Sequence, residues 1–131
     1  MTFYFNYCNS PSFETLSNNV FGFMVNKYPN LATVDIELFE KDLTEDNVFG
    51  WTTENNDQHE IEIHNELNIE SYITTLIHEL VHVDQNVREL FDDEQRENEA
   101  YELETKLFEE FKDIMLNEPT YKFYERMLNK C

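Results

Sequence analysis

The feature that most constrains this chain is an H-E-x-x-H pattern, His78-Glu79-Leu80-Val81-His82, in a stretch whose apolar residues recur at helical spacing. Residues four apart project from the same face of a helix, so the imidazoles of His78 and His82 can bind one Zn²⁺. Glu79 lies about 100° further round the helix, where a carboxylate can reach a metal-coordinated water. The pattern therefore predicts a zinc site on a helix, with Glu79 as the general base.

The apolar residues around the motif indicate which face of this helix carries the histidines. Measured in helical angle from His78, the apolar residues fall on the far side, whereas the polar residues share the near side with His82. The apolar stripe contains Ile73, Leu76, Leu80, Val83, Val87 and Leu90, and the polar side carries Ser71, Thr75, Glu79, His82, Gln85 and Asn86. This arrangement favours a metal site over histidines packed in a core. A solvated polar face with two ordinary histidines is the alternative.

A catalytic zinc needs a third protein ligand, and no histidine follows His82 in the chain. His59 and His64 precede the motif on a predicted strand, where exposed histidines are commoner than ligands. We therefore expect a glutamate from the following helix to be the third ligand. On the helical periodicity of that segment, Glu97 lies on or beside the apolar stripe, as does Glu104, whereas Glu99 lies at its margin.

The spacing of Glu97 and Ala100 resembles the gluzincin metallopeptidases, the thermolysin-type group. In that group H-E-x-x-H is followed by a glutamate ligand on a second helix, often with a small residue three positions later. The resemblance implies Glu97 as the ligand, since the small Ala100 lets the two helices approach closely. The alternative register reads Asn98-Glu99-Ala100 as a thermolysin-like N-E-A and makes Glu99 the ligand, but Glu102 then occupies the small position.

The resemblance covers residues 33–111 and is strongest over residues 73–104. The size and layout are similar to the minimal gluzincins and to the compact SprT-like and ImmA/IrrE-like domains. SprT-like proteins generally use a histidine as third ligand, so that comparison is to architecture alone. Two positions depart from the gluzincin pattern: Asp84 stands where an apolar residue is usual, and Tyr101 stands where an aspartate often orients the first histidine.

Length and composition predict a single domain over residues 1–131. Eleven Phe and seven Tyr supply a core, and only two Gly and three Pro predict that most of the chain is regular structure. Without a long apolar run or a secretion-type leader, we expect a cytoplasmic protein with no membrane partner. Cys8 and Cys131 are predicted to be free thiols.

The formal net charge of −19 is the second large feature of the sequence. It argues against a nucleic-acid partner, because a phosphate-backbone interface requires clustered Lys and Arg. Acidic helical faces can simply keep a small protein soluble. Alternatively, the negative field attracts cationic peptides or partners.

Patterns along the chain predict an α+β fold, a compact zincin-like domain. An N-terminal helix to about residue 27 precedes strands over residues 32–39, 47–53 and 59–64, which form a small three-stranded antiparallel or mixed sheet. The H-E-x-x-H helix runs to about residue 90, the glutamate helix starts at Asp92-Asp93 and continues to about residue 117, and a short C-terminal helix covers 121–129. The zincin-like resemblance implies that the last strand forms an exposed rim over the metal, to which an extended peptide can add.

These observations predict a zinc-dependent metallopeptidase acting on a peptide or protein substrate, with His78, His82 and Glu97 as metal ligands and Glu79 as the catalytic base. Two alternatives remain open. One is a catalytically inactive zincin that binds metal structurally. The other is an acidic interaction or inhibitor protein whose carboxylates imitate nucleic-acid phosphates. The sequence makes no prediction of the oligomeric state.

Overall fold

The computed structural model describes residues 4–7, 11–55 and 58–116. The elements in these ranges are β1 (Tyr4–Tyr7), α1 (Pro11–Lys27), β2 (Asp35–Lys41), β3 (Gly50–Asn55), β4 (Gln58–His64), α2 (Ile69–Val87) and α3 (Asp93–Leu116), with 3-10 helices at Pro29–Thr33 and Thr44–Asp46. The predicted α+β class and the order of N-terminal helix, sheet and two further helices are confirmed. The predicted C-terminal helix over 121–129 lies outside the described residues, as do both cysteines. No helix within the described ranges is both long and apolar enough to cross a membrane.

The strands form one mixed sheet in the order β1-β2-β4-β3. Strand β2 pairs in parallel with β1 and β4, and β3 runs antiparallel to β4. The three predicted strands are present in a mixed sheet, and β1 adds a fourth strand that the sequence pattern did not predict. Pairing of β1 with β2 joins segments about thirty residues apart, so local alternation gives no signal for it.

The strand at the edge of the sheet beside α2 is β3, not β4. The expectation that the last strand forms the exposed rim is therefore wrong. Strand β4 pairs with β2 on one edge and with β3 on the other, so it has no free edge, and its residues Ile61 and Ile63 are fully buried. Most side chains of β3 are exposed, as suits a strand with one free edge.

Local contacts determine where the two C-terminal helices begin and end. The side-chain oxygens of Asn68 and Asp92 each accept a hydrogen bond from the backbone N–H three residues later, at 2.8 and 2.9 Å, and so cap the starts of α2 and α3. Helix α2 ends at Val87 rather than near residue 90. The reason is Glu89, whose φ of 60° puts its backbone in the left-handed region and reverses the chain towards α3.

Helix α2 is the centre of the fold and packs against α1, α3, β3 and β4. Its apolar stripe joins the core formed with α1 and the inner face of the sheet. The largest fully buried apolar side chains of this core are Leu16, Met24, Leu31, Ile36, Leu38, Ile61, Ile63, Leu76, Ile77, Leu80 and Phe111. The polar side of α2 is also buried, because α3 and β3 cover it. The two motif histidines therefore lie in a mostly buried polar layer between these elements.

Candidate metal centre

The two motif histidines and one glutamate of α3 meet at the contact between the helices. His78 and His82 lie on successive turns of α2 with ring centroids 4.7 Å apart. The Glu97 carboxylate contacts both rings: Oε1 lies 2.9 Å from His82 Nε2, and Oε2 lies 3.5 Å from His78 Nε2. Both imidazoles are about nine-tenths buried, while the Glu97 side chain is about half exposed. Two nitrogen donors and one carboxylate thus converge at the edge of a buried layer.

The donor set and its spacing fit a zinc ion. Two ligand atoms bound at about 2.05 Å to one tetrahedral Zn²⁺ lie about 3.3 Å apart. The two nitrogen–oxygen separations at Glu97, 2.9 and 3.5 Å, bracket that value. His78, Glu79 and His82 each also offer one potential ligand atom, and these three atoms lie within 4.8 Å of one another. Imidazole nitrogen and carboxylate oxygen are both common zinc donors.

A second glutamate orients His78. The Nδ1 atom of His78 lies 2.8 Å from Glu104 Oε2. A carboxylate oxygen accepts hydrogen bonds, so a proton on Nδ1 satisfies this contact and leaves Nε2 as the nitrogen of a neutral ring that can bind a metal. Glu104 lies seven residues after Glu97, two helical turns along the same face of α3.

An amide orients His82 in the same way. Fully buried Gln85 has its Oε1 atom 2.8 Å from His82 Nδ1. Its Nε2 atom donates to the Arg96 carbonyl and to Glu99 Oε1, each at 3.0 Å. Because both of those partners are acceptors, the amide oxygen must face the histidine. His82 therefore also presents Nε2 to the site.

Glu99, the alternative third ligand, belongs to this outer network. Its Oε1 atom accepts hydrogen bonds from Gln85 and from the Arg88 guanidinium. Burial opposes ionisation, but these two hydrogen bonds and the positive charge of Arg88 hold the pKa of Glu99 below its ordinary value. Arg88 in turn donates to the buried Asp84 at 2.8 Å. Asp84, which departs from the gluzincin pattern, thus anchors the arginine that binds Glu99.

Glu79 lies beside the histidines and is buried. Its Oε1 atom accepts a hydrogen bond from Thr52 Oγ1 of β3 at 2.8 Å. Burial raises the pKa of Glu79 above that of an ordinary glutamate, and the charges of Glu97 and Glu104 add to this effect. The Thr52 hydrogen bond and His82 act in the opposite direction. A carboxylate with a raised pKa holds a proton more readily than an ordinary glutamate does, which suits a group that accepts and returns a proton.

The histidines open onto a cleft of about 770 Å³ between α3 and the segment that leads into β3. Residues lining it include Asn47, Val48, Phe49, Gly50, Trp51, Thr52, His78, Glu79, His82, Arg96, Glu97, Tyr101 and Glu104. The ring of Tyr101 packs against His78 with centroids 4.9 Å apart and is 60 % exposed. Strand β3 reaches the floor of the cleft at Gly50, where a Cβ atom would lie only 2.8 Å from Thr75 Cγ2. The cleft gives solvent and ligands access to Glu79 and the imidazoles.

The remaining histidines lie elsewhere. His59 is buried in β4, and His64 Nδ1 accepts a hydrogen bond from the Leu43 backbone N–H at 3.1 Å. Neither residue lines the cleft. Sequence reasoning placed Glu104 and Gln85 on the relevant helical faces but gave them no function. Glu104 lies seven residues after Glu97, and Gln85 lies three residues after His82. These helical spacings are the sequence features that indicate a contact with the site.

Comparison with known protein families found no family model that matches the chain. Searches of curated proteins and of solved structures found no match either. The resemblance to gluzincins therefore remains a hypothesis that depends on the residues of the site themselves.

Proposed function

We propose that this protein is a zinc-dependent metallopeptidase of the gluzincin type. His78, His82 and Glu97 would hold the metal, and Glu79 would act as the general base. The observation that carries the proposal is the Glu97 carboxylate, which reaches the Nε2 atoms of both histidines from a different helix. A structural zinc site needs neither an adjacent buried carboxylate nor an open cleft, and this site has both.

The orientation of the ligands supports the proposal further. Glu104 and Gln85 each contact the Nδ1 atom of one histidine, and both Nε2 atoms face the Glu97 carboxylate. Such outer partners hold zinc ligands in the correct tautomer and increase their basicity. When bound, Zn²⁺ supplies a Lewis acid that lowers the pKa of a coordinated water and polarises a carbonyl group.

Glu79 performs the proton transfers in this mechanism. Its carboxylate takes a proton from the attacking water and later delivers it to the leaving amine of the cleaved peptide bond. Thr52 donates to Oε1, which fixes the carboxylate and leaves Oε2 for the water. Because burial raises the pKa of Glu79, returning the proton costs less than it would from an exposed glutamate.

The substrate is a peptide or protein segment in an extended conformation. Strand β3 lies at the edge of the sheet and contributes Gly50, Trp51 and Thr52 to the cleft. The backbone groups on its outer edge have no partner strand in the described sheet, so an extended peptide can add there. A peptide bound in this way passes close to Glu79.

The test is the Glu79→Gln variant, with a mixed peptide library as substrate for the zinc-loaded protein. The amide keeps the size of the side chain but cannot accept the proton. We expect the variant to retain zinc and fold while cleavage falls by at least ~10²-fold, the scale for removal of a general base. Equal cleavage by the variant and the wild type would show that the mechanism is wrong.

Measuring zinc content in the same samples separates the alternatives. Stoichiometric zinc without any cleavage by the wild type would favour an inactive zincin. Neither zinc nor cleavage would favour an acidic interaction protein, because a mimic of nucleic-acid phosphates has no reason to hold one metal per chain.

A further inference from the structure

The exposed apolar side chains of this protein are concentrated at the cleft. Six large hydrophobic residues are exposed in the described part of the chain: Val48, Phe49, Trp51, Phe91, Tyr101 and Ile114. Four of them line the cleft, and we call Val48, Phe49, Trp51 and Tyr101 the apolar rim. Large exposed apolar side chains that are grouped around one cleft, and not scattered singly, mark a binding site. In a chain of net charge −19, such surface needs a specific explanation.

The apolar rim flanks the candidate metal centre on two sides. Val48, Phe49 and Trp51 come from the segment that leads into β3 and from β3 itself, and Tyr101 comes from α3. The Tyr101 ring packs edge-to-face against the His78 ring, so apolar surface lies directly beside a candidate metal ligand. A large apolar side chain that enters the cleft can therefore be buried next to the site of the reaction.

Part of the rim is fixed before any ligand binds. The Trp51 indole N–H donates to Glu62 Oε1 at 2.7 Å, and Glu62 also pairs with Lys41 at 2.6 Å. The edge-to-face contact with His78 orients Tyr101 in the same way. Groups that are held in place lose little conformational entropy when a ligand binds, so their buried area contributes more fully to affinity.

The charges of the cleft disfavour an acidic ligand. Glu79, Glu97 and Glu104 line it, and Arg96 is the one Lys or Arg among its lining residues. The Arg96 guanidinium already donates through Nη1 to Asn86 Oδ1 and to the Leu90 carbonyl, each at 2.8 Å. A bound divalent ion would offset part of the local charge, but the field of the whole molecule remains negative and favours cationic partners.

The following inference rests on the proposed peptidase function. We infer that the substrates are extended peptide segments with a large apolar side chain next to the scissile bond and lysine or arginine nearby. The apolar rim accepts the apolar side chain, and the acidic surface attracts the basic flanks. Peptides that are acidic or lack a large apolar residue are poor substrates.

The experiment measures binding by calorimetry to zinc-loaded Glu79→Gln, which holds a substrate without cleaving it. The probes are two lysine-flanked peptides that differ only in a central Phe-Leu or Ser-Ser pair, and a glutamate-flanked version of the first. We expect the lysine-flanked Phe-Leu peptide to bind at least ~10-fold more tightly than either of the others. Equal affinity for the Phe-Leu and Ser-Ser peptides would overturn the inference.

A matched pair of variants locates the binding surface. Phe49 and Phe91 are 61 % and 62 % exposed, but only Phe49 lines the cleft. In the Glu79→Gln background, Phe49→Ser should weaken binding of the Phe-Leu peptide about tenfold, while Phe91→Ser leaves it unchanged. Phe49→Leu, which keeps an apolar side chain, should recover much of the loss. Equal losses in the two serine variants would contradict the assignment of the apolar rim.

The outcomes separate this inference from the proposed function. Cleavage by the wild type without preference for Phe-Leu over Ser-Ser overturns the inference and leaves the peptidase proposal intact. Selective binding of the Phe-Leu peptide without cleavage by the wild type supports the recognition surface and contradicts the peptidase proposal.

Discussion

At the residue scale, the site depends on pairs of residues in which one contacts the centre and the other orients it. His78 is oriented by Glu104, and His82 by Gln85. Glu79 is held by Thr52 in the same manner. In a buried layer each of these polar groups needs its partner, because an unsatisfied group there is costly. The site therefore requires Glu104, Gln85 and Thr52 as well as the three groups that they hold.

Substitution of Glu104 tests whether a metal-binding histidine needs its orienting partner. We expect Glu104→Ala to weaken zinc binding by about 10- to 100-fold, since His78 loses the acceptor that fixes its tautomer. Glu104→Gln keeps an acceptor oxygen and should lose less. Glu102→Ala, an equal change of charge on the exposed side of α3, is the control and should bind zinc like the wild type. Affinity is measured by competition with a chromogenic chelator, and equal affinity in Glu104→Ala and the control would show that Glu104 does not orient His78.

At the element scale, the position of β3 against α2 brings Thr52 to Glu79. This close packing requires glycine at position 50, where an added Cβ would lie 2.8 Å from Thr75 Cγ2 and 3.1 Å from the Glu62 carbonyl oxygen. The neighbouring atoms include backbone, so the strand itself must shift to admit a methyl group. Such a shift would lengthen the hydrogen bond that fixes Glu79.

We expect Gly50→Ala to lower the free energy of unfolding by about 1–3 kcal/mol, the usual cost of overpacking. The matched control is Gly22→Ala in α1, where an added Cβ meets no atom within 4 Å. Alanine there should stabilise the protein by about 0.5–1 kcal/mol, because glycine is unfavourable inside a helix. Urea denaturation monitored by circular dichroism measures both. A Gly50→Ala variant as stable as the wild type would contradict the close approach of β3.

At the scale of the whole molecule, features with a local period were predictable and those that depend on packing were not. The 3.6-residue period placed His78 and His82 on one face of a helix, and the face predicted for Glu97 is the one that contacts both imidazoles. The roles of Glu104 and Gln85 depend on how α2 and α3 cross, which no pattern within one helix specifies. Strand order has the same limitation, because pairing of β4 with β2 is a contact between distant segments.

One of the few cations of this acidic molecule lies next to the candidate centre. In the Asp84–Arg88–Glu99 cluster, one of only nine Lys and Arg residues pairs with two carboxylates next to the centre. By binding Glu99, Arg88 leaves Glu97 as the carboxylate that contacts the imidazoles. This division between Glu97 and Glu99 is the arrangement on which the proposed metal site depends.

The most direct test of the account is zinc content per chain after dialysis against a weak chelator, measured by atomic emission for the wild type, Glu97→Ala and Glu99→Ala. We predict about one zinc per chain in the wild type and a large loss in Glu97→Ala, because a three-ligand site loses its only carboxylate ligand. Glu99→Ala should weaken binding about tenfold or less, since it acts on His82 only through Gln85. Greater loss of zinc in Glu99→Ala than in Glu97→Ala, or equal zinc in both, would contradict the proposed centre.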